Sequence, residues 1–305
     1  MSMDSLQRAF YGLKFENAFL RQKGKAFEDL FSRIMGHASP GDFQAVRPYG
    51  SRGDLKCDGY RVSDKTVFQC YAPSNMKLAN MLAKMDEDFN GAVAHWGDRM
   101  KRWSFVHNED DGLPADATQK LVDLSAANPT VHLDQTGYPE LFAVVMTLSI
   151  PQLEDLFGSV PSQRTMAQLD YEALRPVVTL IQKLNPDDNP PLSAPSASKL
   201  DANDLSADAA ELLRQGRRRE PLVERFFNDW PDPSFGEEIA QGFRERYQAL
   251  KIEDLPPDQI FMELQTFAGG MDGTPSHQAA VLAVMSYFFE RCDIFEDHVE
   301  EDVET

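Results

Sequence analysis

The chain has 305 residues, 42% of them hydrophobic and 10% aromatic, which is enough apolar material for packed cores and excludes global disorder. Its 49 acidic and 30 basic side chains leave a net charge of −19. A surface this acidic excludes general, whole-molecule attraction to nucleic acid, and the length favours two domains. No apolar run approaches the ~20 residues of a membrane span, and MSMDSLQRAF lacks the apolar stretch of a secretory signal. Three cysteines (Cys57, Cys70, Cys292) make neither a disulfide framework nor a CxxC zinc cluster. The expectation is a soluble cytoplasmic protein with no membrane contact.

The charge is unevenly spread. Residues 1–108 hold sixteen Lys and Arg against twelve Asp and Glu, a surplus of four positive charges. Residues 109–305 carry a net charge of −23, most of it expected to be a solvated face. Any phosphate-facing surface therefore belongs to the first third.

Helices are expected over residues 5–20 and 25–35, the second with Phe27, Leu30, Phe31 and Ile34 on one stripe and Gly36 at its close. Short strands follow at 43–46, 55–62 and 65–72, the last two joined by a turn at Ser63-Asp64. Residues 76–96 return to a helical period. Then come a strand at 103–108, a helix at 115–126, a strand at 130–135 and a helix at 138–148. This β-α-β-α order favours parallel strands with crossover helices. Two helical segments occupy 150–184. The Pro-, Ser- and Asp-rich stretch 185–206 reads as a linker between an α/β domain over 1–184 and an all-α module over 207–305. AAVLAVMSYFF (279–289) is the most apolar helix and the expected centre of that module, and the terminal EDHVEEDVET is an acidic tail.

Polar residues placed on this frame suggest chemistry. Glu28 lies on the second helix, Asp54 and Asp58 in GSRGDLKCDGY, and Gln69 on the next strand in VFQCYAP. A hairpin brings such acceptors side by side, as a hard divalent cation requires. The structural alternative is a set of solvated carboxylates. His107, at a strand end, either lines such a site or is a buried structural imidazole. Cys57 and Cys70 read as small buried apolar residues. The remaining histidines show no zinc-ligand spacing, and Arg217-Arg218-Arg219 reads as a solvated helix face.

The residues FE (27–28), GD…CDG (53–59) and VFQ (67–69) resemble the PD-(D/E)XK superfamily of restriction-endonuclease-like nucleases, in particular its Mrr-like branch, over roughly residues 10–150. The resemblance implies an αβββαβ core with a mixed sheet. It implies Mg²⁺ (or Mn²⁺) held by Asp58, Gln69 and Glu28, with Asp54 as an accessory acceptor, and double-stranded DNA as substrate. The family pattern has a lysine two residues after the Gln, where this chain has Tyr71, so Lys84 or Lys77 on the following helix is expected to supply the charge, with Lys56 a third candidate. Farther along, FRERYQALKIEDLPPDQIFMELQTF and AAVLAVMSYFFERCDIFED resemble the C-terminal domains carried by effectors of ABC-three-component (Lamassu-type) defence systems. That resemblance implies docking onto an SMC-like ATPase and a middle subunit, and self-association is compatible with it. Together they imply a defence endonuclease restrained by partners. The rival expectation is a catalytically inactive nuclease-fold scaffold or adaptor.

Overall fold

The computed structural model describes residues 3–47, 55–109, 111–184, 203–270 and 273–291. Asp54, most of the expected linker and the acidic tail with Cys292 lie outside them. Contacts divide the chain into two units, Phe15–Leu156 and a second made of Met1–Lys14 with Phe157–Thr305.

The first unit is α/β. Helix α1 (Ser5–Arg21) runs into it, followed by α2 (Lys25–Ala38), β1 (Phe43–Ala45), β2 (Gly59–Arg61), β3 (Thr66–Tyr71), α3 (Leu78–Trp96), β4 (Arg102–His107), α4 (Ala115–Ala127), β5 (His132–Thr136) and α5 (Tyr138–Val145). The five strands form one mixed sheet in sequence order. β1-β2-β3 are antiparallel, with Gly59 opposite Phe68, and β3-β4-β5 are parallel, with Gln69 opposite Phe105 and Phe105 opposite Gln135. The parallel half follows from α3 and α4, which return the chain to the starting edge.

Side-chain alternation gives the sheet two apolar faces. Phe68 packs with Phe31 and Phe43 on the α2 side, at centroid distances of 5.3 and 6.0 Å. Val67, Trp103, Phe105 and Leu133 pack with Met81, Met85 and Phe89 on the α3 side. Each such large side chain contributes about 1.5–3 kcal/mol by leaving water.

The structure corrects two expectations here. Helix α2 continues through Gly36 to Ala38 and closes at Ser39, whose N–H bonds the Met35 carbonyl. β2 is shorter than residues 55–62, because Leu55 and Lys56 adopt left-handed backbone angles (φ 58° and 57°) that no strand tolerates.

The second unit is helical. The start of α1 belongs to it, with α6 (Ile150–Phe157) ending at its border, then α7 (Gln163–Ala167), α8 (Tyr171–Leu184), α9 (Ala207–Arg217), α10 (Glu220–Asn228), α11 (Phe235–Ile252), α12 (Pro257–Phe267) and α13 (Pro275–Glu290). Residues Ala279 to Met285 of α13 are all fully buried. A helix apolar on every side must be enclosed, and α13 packs against α7, α8, α9, α10 and α12. Close approach to α9 depends on Gly216, where a Cβ would collide with Ser286 and the Leu282 carbonyl. No helix among the described residues is long and apolar enough to cross a membrane.

Candidate functional site

Asp58 is fixed from three sides. Its N–H donates to the Phe68 carbonyl (2.9 Å), its carbonyl accepts from the Val46 N–H (3.0 Å), and its carboxylate Oδ2 accepts from the Cys70 N–H at 2.7 Å. A backbone amide that would continue the β2–β3 ladder is thus satisfied by a side chain. Such a charge-assisted bond is worth about 1.5–3 kcal/mol. Asp58 is only 6% exposed.

Gln69, also 6% exposed, follows Phe68, the partner of Gly59 at the end of the hairpin register. Its Oε1 is buried without a hydrogen-bond partner among the described residues. An unpaired buried amide oxygen costs about 1–3 kcal/mol, so a group that accepts this burial is a candidate ligand. Strand alternation places Gln69 on the α3 side of the sheet and Cys70 on the α2 side.

The start of α2 meets the end of β3. Gly24, at φ 54°, donates its N–H to the Ala72 carbonyl at 2.6 Å. Glu28 therefore stands one helical turn from the strand end, where it ion-pairs with Lys25, which also reaches Asp29 at 3.2 Å. The Cys70 thiol registers this grouping. Burial pushes its pKa well up, the negative charges of Asp58 and Glu28 push it further, and Lys25 acts in the opposite sense. Glu28, Asp58, Cys70 and Lys25 thus share one electrostatic neighbourhood.

The expected lysines of α3 are paired or exposed. Lys84 pairs with Asp88 (2.9 Å) and Glu87 (3.6 Å), and Lys77 is exposed where α3 begins. Lys56 pairs with Glu87 and, at 3.1 Å, with Asp88; its pKa is raised, chiefly by Glu87. Tyr71 stacks on Phe105 at 5.7 Å, and burial followed by Glu109 raises its phenol pKa, so it stays neutral. The cation that the sequence reading passed over is Lys25; its one signal is the i,i+3 spacing to Glu28 in KAFE. Asp88, fully buried, gave no signal at all, since KMDED has the pattern of a solvated helix face.

His107 is structural. It is 1% exposed, its Nδ1 accepts the Glu109 N–H (3.2 Å), and so its Nε2 carries the proton, donated to Gln135 Oε1 at 3.1 Å. Burial lowers its pKa.

Among the described residues, no three His, Cys, Asp or Glu side chains gather closely enough to hold a metal ion. What the site does offer a hard cation is oxygen: the Asp58 carboxylate at Cys70, with the Glu28 carboxylate near the same residue, and, on the α3 side of the sheet, the Gln69 amide oxygen that has no partner among the described residues. Oxygen donors of this kind suit Mg²⁺ or Mn²⁺.

The α/β unit is thus a mixed-sheet domain with a buried polar grouping at a strand end, and the second unit is a helical module. Residues 172–296 match the family model for C-terminal domain 10 of the ABC-three component (ABC-3C) systems. No curated protein and no solved structure matches the chain. The C-terminal helices are accordingly similar to a C-terminal domain of the ABC-3C systems, a kind of domain that implies other subunits of a multi-component system.

Proposed function

We propose that this chain is the effector subunit of an ABC-three-component defence complex, and that its α/β unit is a PD-(D/E)XK-like endonuclease that hydrolyses double-stranded DNA. The observation that carries the proposal is the hairpin end, where buried Asp58 is locked onto the amide of Cys70, the residue after a Gln69 whose amide oxygen has no partner among the described residues, while Glu28 and Lys25 arrive on α2. The order α2-β1-β2-β3-α3-β4 agrees with the αβββαβ core of that superfamily.

Asp58, Gln69 and the Cys70 carbonyl would hold Mg²⁺ or Mn²⁺, and Glu28 its hydration shell. The bound cation supplies a polarised phosphate and a water of lowered pKa. The chain's own contribution is fixed geometry. The Cys70 amide orients the Asp58 carboxylate, the sheet buries Gln69, and the Gly24–Ala72 bond keeps α2 against the strand end. Lys25 takes the part of the family lysine that Tyr71 does not fill. Its ammonium, now shared with Glu28 and Asp29, would face the negative charge developing on the phosphate.

The test is cleavage of supercoiled and linear duplex DNA with Mg²⁺ or Mn²⁺, by the chain alone and with its SMC-like ATPase and middle subunit. Asp58→Ala is expected to abolish cleavage, a loss of at least about a thousandfold. No cleavage by wild type under any of these conditions would sink the nuclease reading.

A second reading, an inactive scaffold subunit, has one observation in its favour: Lys84 is held by Asp88 and Lys77 is exposed. It predicts a complex that assembles normally around an Asp58→Ala chain and cleaves nothing even with wild type.

A further inference from the structure

Asp58 is the end of a short segment, residues 55–58, that belongs to no strand until Gly59. Five contacts tie this segment to α3, one of them the Lys56–Glu87 ion pair. The Trp96 indole Nε1 donates to the Leu55 carbonyl at 3.2 Å. The Lys56 stem lies against Gly91, where an added Cβ would come within 2.6 Å of its Cγ. The Lys56 ammonium pairs with the buried Asp88 carboxylate at 3.1 Å. Cys57, fully buried, joins the α3-side core. Tyr60, just beyond, stacks on Trp96 at 4.8 Å and 18°.

Asp88, Gly91 and Trp96 therefore grip one stretch of chain whose backbone is held left-handed at Leu55 and Lys56. Burying a carboxylate completely is costly unless it is paired. Asp88 is paired twice, by Lys56 and Lys84, so that Lys84 holds Asp88 in place for Lys56. The segment so held ends in the carboxylate that caps the Cys70 amide.

We propose that Asp88 and Gly91 of α3 are positioning residues for Asp58: through Lys56 they set where the Asp58 carboxylate stands at the end of the β2–β3 hairpin. The inference rests on the nuclease reading for its consequence, but not for its geometry. Lys56 and Lys84 are thereby explained as clamp members.

The experiment uses the full chain, with Asp88→Asn and Gly91→Ala. Gly91→Ala favours the helix by propensity while its new methyl displaces Lys56, so a general loss of stability and a loss of positioning move in opposite directions. Two readouts need neither metal nor DNA. The Cys70 amide, which bonds the Asp58 carboxylate on the β2 side, is followed by hydrogen exchange, with the Gln69 amide, facing β4 by strand alternation, as control. Cys57 is followed by alkylation with iodoacetamide and peptide mapping.

Both variants are expected to lose at least tenfold in Cys70 amide protection with Gln69 unchanged, and to expose Cys57 at least tenfold faster. The Mn²⁺ concentration for half-maximal DNA cleavage should rise at least tenfold with KM for the duplex unchanged. Cys70 protection and Cys57 labelling at wild-type values in Gly91→Ala would overturn the proposal, whether or not Asp88→Asn folds. So would a released segment with an unaltered Mn²⁺ requirement. If wild type shows no Mn²⁺-dependent cleavage, the nuclease reading fails, and the exchange and alkylation results still decide whether α3 holds Asp58.

Discussion

The two units bury different kinds of polar group. In the α/β unit the buried polar residues include Asp58, Asp88 and His107, alongside Gln69 and Asn108. In the helical unit, among the described residues, they are the amides Asn203, Gln215, Gln265 and Gln278, with Ser286, and Lys14, whose ammonium reaches the Phe157 carbonyl. Buried carboxylates are expensive and persist only when paired or when the site has use for them. Buried amides in a bundle serve to fasten connecting segments to helices, as Gln278 of α13 does in bonding the carbonyls of Ser159 and Gly273.

That contrast is open to attack by mutation, beginning with packing. Phe243 is fully buried and meets Phe267 and Phe288. Phe243→Ala should destabilise the protein by about 3–5 kcal/mol in urea unfolding. If the cost were below about 1 kcal/mol, the helical unit would not be the packing-driven body described. In the α/β unit the decisive change is small in volume: Lys25→Met should lower DNA cleavage about a hundredfold, near 2.7 kcal/mol of barrier, with little change in melting temperature. Unchanged cleavage would remove Lys25 from the site.

A sharper probe of the contrast is the carboxylate of the helical unit that departs most from ordinary behaviour. Asp208, in the first turn of α9, is pressed against α1 at Gly12, where any Cβ would collide with it. Burial, opposed by Arg8 and reinforced by Asp258 and Glu211, raises its pKa to about 6. The folded chain therefore binds a proton more tightly than the unfolded chain does, and stability falls as pH rises from about 4 to about 6 and stays down above it. Asp208→Asn should remove that penalty. Above pH 6 it should gain about 1–2 kcal/mol once solvent screening of this half-buried group is allowed for, and the gain should vanish near pH 4. Melting curves of both proteins from pH 4 to 8 measure the difference. A gain that did not vary with pH would refute the assignment. The smallest effect is expected at Ile252, 86% exposed at the end of α11, where Ile252→Lys should change stability by no more than about 0.5 kcal/mol.

Much of the fold could be read from periodicity, because Phe27, Leu30, Phe31 and Ile34, or the unbroken apolar run in α13, leave one consistent way to bury themselves. The candidate site was only partly legible. Glu28, Asp58 and Gln69 stand out as residue types. That Asp58 caps a strand amide does not, because nothing in LKCDGY announces two left-handed residues before it. Lys84 looked suited to the site from its helix face, but that face gives no sign that its ammonium pairs with a buried Asp88 one turn on. Whether a carboxylate is buried depends on what other elements bring to it, and a helix pattern records only its own spacing.

The enclosure of α13 bears on how the protein can be divided in the laboratory. A fragment cut at residue 207 would shed α7 and α8, both of which lie against α13. One flank of AAVLAVMSYFF would then meet water, and the piece should clump on expression, whereas a cut that retains residues 157–184 keeps that flank covered.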